Sequence, residues 1–345
     1  MSDAGKTATA TQRNGWVWCA LAAVLFGAAT PFTKLIVDDI GAVTLAGLLY
    51  LGAAVAVAPF TRRRPSIRGT VTQRTRLLTA VAFGGGLAPV LLVLALDRTP
   101  AGTVSLFLNL EVVATAFIAR AFLGEHLGRR AAAGIAVVVA GGVILAGASG
   151  AGVAAGALLV AATCVCWGID NAITASLDAY TPSQITFAKG LVAGTVNVVL
   201  GVAIHGAPAL GHVSAALTIG AIGYGASITM WITGARLVGA ARGQVIFALA
   251  PFLGAVLAWP VNGDQVTVKI GVAFAVSLVG VLVVATSRHG HRHVHEALEH
   301  THPIDTNDPH HRADTIDVLT GARHRHHPIV HEHDHLPDIH HRHDH

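Results

Sequence analysis

The chain has 345 residues, of which 53% are hydrophobic and 12% are charged, and its mean hydropathy is +0.60. Soluble domains contain roughly 25% charged residues, so the composition excludes an ordinary water-soluble enzyme. The 38 glycines lie mostly inside apolar stretches, where small residues let helices pack closely in a bilayer. The composition therefore predicts a membrane protein with several spanning helices.

Ten apolar segments are long enough to cross a bilayer, which takes about 20 residues per helix. Residues 1–15 precede them, and in chain order they cover residues 16–37, 41–60, 77–96, 102–123, 131–149, 153–175, 182–205, 214–238, 241–259 and 266–286. This pattern predicts an all-α membrane protein with ten transmembrane helices. We expect no cleavable signal peptide, because the first segment is long and continues as a spanning helix.

Positive charge is concentrated in the loops of one side of this arrangement. With the N-terminus inside, the inner loops hold Lys6, Arg13, Arg62, Arg63, Arg64, Arg68, Arg74, Arg76, Arg129, Arg130, Arg236, Arg242 and Arg288. The outer loops hold mainly Asp38, Asp39, Asp97, Arg98 and Asp264. The positive-inside rule then predicts a multi-pass protein of the cell (inner) membrane with both termini in the cytoplasm. The arginine-rich loop 62–76 suits anionic lipid headgroups, and we expect no nucleic-acid partner.

The sequence contains an internal repeat. A shift of 139 residues aligns the segment 122–125 with 261–264, and a shift of 141 aligns Phe26-Gly27 with Trp167-Gly168. The repeats are predicted at residues 16–149 and 150–288, with five helices each. Because five is odd, the second repeat enters the membrane upside down, which is the architecture of many secondary transporters.

The fourth segment carries a resemblance to a known family. It reads Ala101-Gly102-Thr103-Val104-Ser105-Leu106-Phe107-Leu108-Asn109-Leu110-Glu111 and is followed by Phe122-Leu123-Gly124-Glu125. With Trp167-Gly168, it resembles the EamA-type transporters of the drug/metabolite transporter (DMT) superfamily over residues 16–286. The pattern departs from the family at Phe26, where tryptophan is usual, and at Val112, where proline is usual. The resemblance implies an inverted-repeat transporter of a small organic solute, and its substrates range over amino acids, other metabolites, drugs and sugars.

Glu111 is the leading candidate for transport chemistry. It is predicted near the middle of a 22-residue helix, where a carboxylate is costly unless it is paired, protonated or in contact with water. Burial favours the protonated form, as a proton-coupled site requires. The alternative is a structural acid that is hydrogen-bonded to a neighbouring helix. Asn109 is a further candidate, although its position on a different helix face favours packing.

A second group consists of Asp170, Asn171 and Lys189. Asp170 lies in the inner half of the sixth helix, and Lys189 lies roughly 10 Å into the seventh at 1.5 Å per residue. These depths predict an ion pair between the two helices. The pair is either an inner gate that opens during transport or a static bridge.

Four further residues complete the candidate set. Lys34 follows Pro31 near the outer end of the first helix and is expected to extend to the interface. Trp167, Tyr224 and Gln244 are candidates for the lining of a central cavity. No motif of a soluble enzyme is present, and we expect no enzymatic activity and no required cofactor.

The composition changes abruptly at residue 289. Residues 289–345 contain 5 Arg, 10 Asp or Glu and 18 of the 21 histidines. Ten of these alternate along the chain: His289, His291, His293, His295, His331, His333, His335, His341, His343 and His345. Alternate residues of an extended chain share one side, and imidazole binds Zn, Ni, Co and Cu. The segment is predicted to be a disordered cytoplasmic tail that binds these divalent metal ions.

The sequence therefore indicates a secondary transporter that exports a small organic metabolite by alternating access, with proton coupling as an option and a metal-binding regulatory tail. Two alternatives stay open. One is a divalent transition-metal permease that uses the tail. The other is a non-transporting membrane protein that senses or buffers metal.

Overall fold

The structure of the chain is a computed structural model. The structure describes residues 3–61, 70–123, 128–148, 151–175, 177, 180–238, 243, 246–286, 289–295, 299–301, 316–320, 323–326 and 329–335. Gln244 lies outside these residues. The chain divides into two compact units, Met1–Ser287 and Arg288–His345.

The first unit, here called the body, is a bundle of helices. Its α-helices are α1 (Asp3–Lys34), α2 (Ala42–Thr61), α3 (Val71–Ala80), α4 (Ala88–Arg98), α5 (Ala101–Phe107), α6 (Leu110–Leu123), α7 (Arg129–Ala148), α8 (Ala151–Ala175), α9 (Pro182–Ala188), α10 (Gly194–His205), α11 (Leu210–Ile219), α12 (Ser227–Val238), α13 (Ala250–Asn262) and α14 (Val268–Ala285). Short π-helical segments join α3 to α4, α9 to α10 and α11 to α12. A helix satisfies its own backbone hydrogen bonds, which is what the interior of a bilayer requires.

The body has the predicted number of membrane segments. Among the described residues, nine helical stretches are long and apolar enough to cross a membrane, and α13 is a shorter apolar helix. Large apolar side chains such as Val55, Phe117, Leu158 and Ile204 are exposed on the outside of the bundle, as expected of a surface that faces lipid. The cysteines Cys19, Cys164 and Cys166 are buried. The fold prediction of ten helices in two repeats is confirmed.

Two of the predicted helices are broken, which the hydropathy pattern did not reveal. The fourth membrane segment changes from α5 to α6 through a turn at Leu108 and Asn109, and Ala248 and Leu249 form a turn just before α13. In the first turn, the backbone N–H groups of Asn109 and Glu111 donate to the carbonyls three residues earlier, at 3.2 Å and 3.0 Å. The two turns lie at matching places in the two repeats, 140 residues apart.

The π-helical segments follow the same symmetry. Val81–Leu87 and Gly220–Ala226 are related by the 139-residue shift that was found in the sequence. The third π-helical segment, Lys189–Ala193, has no counterpart in the second membrane segment, where α2 is continuous. π-Helical turns are rare and occur frequently at functional sites because they disrupt the regular hydrogen-bond ladder.

Glycine pairs hold the two repeats together where their helices cross. Gly27 of α1 lies against Gly254 of α13, and Gly47 of α2 lies against Gly194 of α10. Gly134 of α7 lies against α14, where a Cβ at Gly280 would be 2.9 Å from the Gly134 carbonyl oxygen. Since small residues allow backbones to approach closely, these crossings bring each repeat into direct backbone contact with the other.

The second unit contains the His-rich tail. Its described residues form β1 (His289–His295), β2 (Glu299–Thr301), β3 (Ile316–Thr320), β4 (Arg323–His326) and β5 (Ile329–His335). One sheet pairs β1 with β5, and the other has the order β2-β4-β3, with antiparallel pairing throughout. These described residues pair as strands. Alternation of residue types with a period of two suits an extended chain.

The glycine contacts predict the effect of a single added methyl group. In Gly280→Ala, the new Cβ would lie 2.7 Å from the backbone nitrogen of Val138, and such overpacking costs about 1–3 kcal/mol. Gly271→Ala in the same helix is the control, because no atom lies within 4 Å of its added Cβ. Thermal unfolding in detergent should show a lower midpoint for Gly280→Ala and an unchanged or higher one for Gly271→Ala. Equal midpoints would contradict the close crossing.

Candidate functional site

A cavity lies inside the body and is lined by both repeats. Its volume is about 50 Å³, and one water molecule needs roughly 10–15 Å³, so it has space for a few water molecules. The lining residues are Phe26, Tyr50 and Glu111 from the first repeat and Trp167, Asp170, Asn171, Thr174, Lys189, Ile228, Trp231, Ile232 and Phe247 from the second. The cavity combines ionisable groups with aromatic rings.

Glu111 is positioned by the break in its membrane segment. It is the second residue of α6 and lies in the first turn of that helix, where the helix dipole favours a negative charge. The side chain is partly buried. Asn171 Nδ2 of α8 donates a hydrogen bond to Glu111 Oε1 at 2.8 Å. This bond connects a carboxyl group of the first repeat to an amide of the second.

Glu111 also lines a smaller cavity of about 10 Å³, which is close to the minimum size for one water molecule. Asn109, Phe247 and Pro251 also line it. Asn109 Nδ2 donates to the Leu106 carbonyl at 2.9 Å, which supports the turn between α5 and α6. Both helix breaks therefore meet beside Glu111.

Asp170 and Lys189 form the predicted ion pair. Lys189 Nζ lies 2.7 Å from Asp170 Oδ1 and 2.8 Å from Oδ2, and it donates to Thr174 Oγ1 at 3.1 Å. Thr174 in turn donates to Asp170 Oδ1 at 3.1 Å. Both charged side chains are buried. Asn171, which the sequence grouped with this pair, contacts Glu111 instead, because adjacent helix residues point in different directions.

The π-helical segment Val81–Leu87 supports the ion pair and two of the rings. The carbonyl oxygen of Gly84 accepts hydrogen bonds from Tyr50 Oη at 2.6 Å and from Trp167 Nε1 at 3.3 Å. A Cβ at position 84 would overlap with the carboxyl group of Asp170. Glycine at this position therefore lets Asp170 pack against the backbone.

Aromatic rings connect the helices around the cavity. The Phe26 ring has its centroid 5.4 Å from that of Trp167, 5.7 Å from that of Tyr224 and 5.2 Å from that of Phe247. Trp231 and Phe247 are 5.9 Å apart. Phe26 is thus the centre of the cluster.

Hydrogen bonds join the helices at one end of the bundle. Lys34 Nζ donates to the Leu96 carbonyl at 2.6 Å, and Asn262 Nδ2 donates to the Pro31 carbonyl at 3.1 Å. The backbone N–H of Gly102 donates to Asp264 Oδ2 at 2.7 Å. We call this end of the bundle the Asp264 end.

The cavity extends in the opposite direction. Thr174 is the next-to-last residue of α8, which begins at the Asp264 end. Lys189 follows directly after α9, near the start of its membrane segment, and Trp231 lies in the final helix of the eighth segment. These positions place much of the lining in the half of the membrane segments that is remote from the Asp264 end.

The structure brings together most of the residues that the sequence singled out. Glu111, Asp170, Asn171, Lys189 and Trp167 line one cavity, and Asn109 lies beside it. Lys34 is at the Asp264 end, as its predicted position near the helix end implies. Tyr224 is buried behind the lining, with its ring 5.5 Å from that of Tyr50. Gln244 lies outside the described residues.

Sequence reasoning missed several lining residues. These are Phe26, Tyr50, Thr174, Ile228, Trp231, Ile232 and Phe247. A signal was present for Tyr50 and Trp231, because the Trp and Tyr residues of membrane proteins are enriched at the two interfaces. A Trp or Tyr well inside a spanning segment is therefore unusual, and it marks a candidate lining position.

Comparisons with known proteins agree with this architecture. Residues 13–147 and 154–286 each match the sequence model of the EamA-like transporter family. No curated protein sequence matches the chain significantly. Among solved structures, 27 chains match. One, described as "crystal structure of protein", is 18% identical with a TM-score of 0.59, over 80% of this chain and 98% of its own. At this identity the likeness shows a shared fold.

The buried ion pair predicts a specific pattern of stability. Lys189→Met leaves the carboxylate of Asp170 buried without its partner, which typically costs about 3–5 kcal/mol. The double variant Asp170→Asn/Lys189→Met removes both charges and should recover most of the loss. Asp97→Asn is the control, since Asp97 pairs with Arg98 at the exposed surface, where a pair contributes about 0–1 kcal/mol. Thermal unfolding in detergent would measure all three, and a double variant no better than Lys189→Met would rule out the pairing.

Proposed function

The chain belongs to the EamA-like transporter family, and on that premise we propose that it is a secondary transporter that exports a small organic solute by alternating access. The family accounts for a multi-pass membrane transporter. The solute, the direction of transport and the coupling to protons are our proposals. So is the location in the cell (inner) membrane with both termini in the cytoplasm.

One observation carries the proposal. The bond from Asn171 to Glu111 crosses between the repeats inside the shared cavity. In inverted-repeat transporters, one repeat moves against the other around a fixed site near the middle of the bilayer. A hydrogen bond that spans the repeats at this site changes with that movement, and so does the environment of the carboxyl group.

The arrangement of polar contacts indicates which end of the bundle is closed. Hydrogen bonds connect the helices at the Asp264 end, whereas the cavity lining extends towards the other end. The excess of Lys and Arg in the loops of that other side supports a cytoplasmic location for it. In the export cycle that we propose, a solute enters from the cytoplasm and leaves after the Asp264 end has opened.

Glu111 is the proposed contact for the solute or a proton. Asn171 donates a hydrogen bond to Glu111 Oε1, and Glu111 lines both cavities. The Asp170–Lys189 pair is the proposed inner gate. It lies in the same cavity, and its rupture would separate α8 from the segment that follows α9.

Glu111→Gln tests this proposal, because it keeps the shape of the side chain and removes its ability to ionise. We expect it to lower export of the solute about tenfold or more, the factor that corresponds to about 1.4 kcal/mol. The measurement is a joint metabolite and element profile of cells and medium. It compares the intact protein with Glu111→Gln, with Asp97→Asn as a matched acid-to-amide control, and with a chain truncated after Arg288.

Each result of this profile has a defined meaning. An organic solute that moves with the intact protein, Asp97→Asn and the truncated chain, but not with Glu111→Gln, supports the proposal. A shift in Ni, Co, Zn or Cu alone would favour the divalent-metal permease. Metal accumulation that depends on the tail but is unaffected by Glu111→Gln would favour a metal sensor or buffer that transports nothing.

We propose in addition that the tail binds a divalent metal ion and regulates the body. The register of β1 with β5 supports this, because His289 is opposite His335, His291 is opposite His333, and His293 is opposite His331. Residues directly opposite in an antiparallel pair have Cβ atoms about 4.5–5.5 Å apart. Imidazole is a suitable ligand for Zn, Ni, Co and Cu, and the register supports a site that both strands share.

Zinc titration of the intact protein against a chromogenic chelator tests the shared site. Replacement of His289, His291 and His293 by Gln should weaken binding about tenfold, and so should replacement of His331, His333 and His335. Since both strands contribute to one site, replacing all six should add little further. Replacement of His302, His310 and His311 is the control. Losses that simply add would indicate separate sites on each strand, and unchanged affinity would refute metal binding at this ladder.

A further inference from the structure

We propose that the cavity, when the movement of the repeats widens it beyond the volume of about 50 Å³ described above, selects an organic cation with a single positive charge, carried by an amine next to an aromatic or other apolar group. This inference rests on the proposed transport function and specifies its substrate class. Three features of the cavity carry it: the charge of its lining, the rings around it and the state of its hydrogen-bond donors.

When Glu111 is ionised, the charged residues of the described lining leave one negative charge unbalanced. They are Glu111, Asp170 and Lys189. Lys189 is within 2.8 Å of both oxygens of Asp170, so that pair is neutral as a unit. Glu111 receives a hydrogen bond from the uncharged amide of Asn171, which solvates a carboxylate but does not balance its charge. A cation is attracted to such a site and an anion is repelled, all the more because the surroundings have a low dielectric constant.

The rings favour the same class of solute. Phe26, Tyr50, Trp167, Trp231 and Phe247 line the cavity, and they belong to five different membrane segments. A cation within about 6 Å of an aromatic centroid is attracted to the face of the ring. The centroid of Phe26 lies 5.4 Å from that of Trp167 and 5.2 Å from that of Phe247. An ammonium group near Glu111 is therefore accompanied by several rings, which also accept an apolar group of the solute.

The hydrogen-bond donors argue against a zwitterion such as an amino acid. A carboxylate of the solute requires a cationic partner, and Lys189 is the cation of the described lining. A lysine has three N–H donors, and Lys189 directs its Nζ to Asp170 Oδ1, Asp170 Oδ2 and Thr174 Oγ1. The buried Nε1 of Trp231 has no partner among the described residues. It is a neutral donor, which suits a hydroxyl or carbonyl oxygen rather than a carboxylate.

The test uses four probes that share a phenyl ring and differ in charge: 2-phenylethylamine, phenylalanine, 3-phenylpropionate and 2-phenylethanol. Binding to the intact protein in lipid nanodiscs is followed by the change in tryptophan fluorescence. Export is measured separately in vesicles that contain the same protein. We expect the amine to bind about tenfold more tightly than the other three probes, on the basis of charge attraction and contact with the rings.

Two matched pairs of variants identify the source of this preference. Glu111→Gln should remove the preference for the amine, whereas Asp97→Asn, with its acid exposed, should keep it. Phe247→Leu should weaken binding of the amine about tenfold, whereas Phe117→Leu, on the exposed outside of the bundle, should not. Unfolding midpoints of all four variants are measured, so that loss of the fold is not mistaken for loss of binding.

The results separate the substrate class from transport itself. Equal or tighter binding of phenylalanine or 3-phenylpropionate would overturn the inference, and so would binding of none of the probes or an unchanged preference in Glu111→Gln. Export of an organic solute that carries no positive charge would overturn it as well, while leaving the transport function intact. Binding of the amine without export would support the cation site and contradict transport.

Discussion

A bilayer provides no hydrogen-bond partner for a polar group in its interior, and this constraint governs the body of the protein. Helices satisfy their own backbone groups, and glycine pairs such as Gly47–Gly194 bring those helices into close contact. Every polar side chain that is placed between them then needs a partner nearby. Asp170 has Lys189 and Thr174, and Glu111 has Asn171. The cavity is the place where these partners meet.

Irregular helix geometry makes the site possible. The break before α6 places Glu111 in the first turn of a helix, and the π-helical segment Val81–Leu87 presents the Gly84 carbonyl to Tyr50 and Trp167. Regular helices would use those backbone groups internally. Both features recur at matching places in the second repeat. The chemistry does not recur, because Ala250 and Ala248 occupy the positions that correspond to Glu111 and Asn109 at a shift of 139. The two repeats therefore share their backbone geometry at these places but differ in the ionisable groups that they carry there.

The two units of the chain differ in the groups that they offer to a ligand. The body contains a buried cavity in which the ion pair is internally balanced and Glu111 is not. Solvation inside the cavity is limited to a few waters, so the proposed selection rests on charge and ring contacts. The tail has few apolar residues with which to form a core, and its strands pair by backbone hydrogen bonds. The proposed partner of its histidines is a divalent transition-metal ion, for which imidazole is a suitable ligand.

The sequence alone determined the membrane class, the ten segments and the inverted repeat, and it singled out Glu111 as a candidate for transport chemistry. Apolar stretches of about 20 residues are typical of spanning helices, and an ionisable group inside one is costly enough to mark a functional position. The sequence also predicted the Asp170–Lys189 pair, since depth along a helix follows directly from residue count. Only the tertiary structure decided that Asn171 contacts Glu111 rather than that pair, and that Tyr50, Trp231 and Phe247 surround the same cavity. Such contacts depend on how each helix is rotated about its axis and on where it breaks. The sequence specifies neither the rotation nor the position of the breaks, because most faces of these helices are apolar and no face is marked as the buried one.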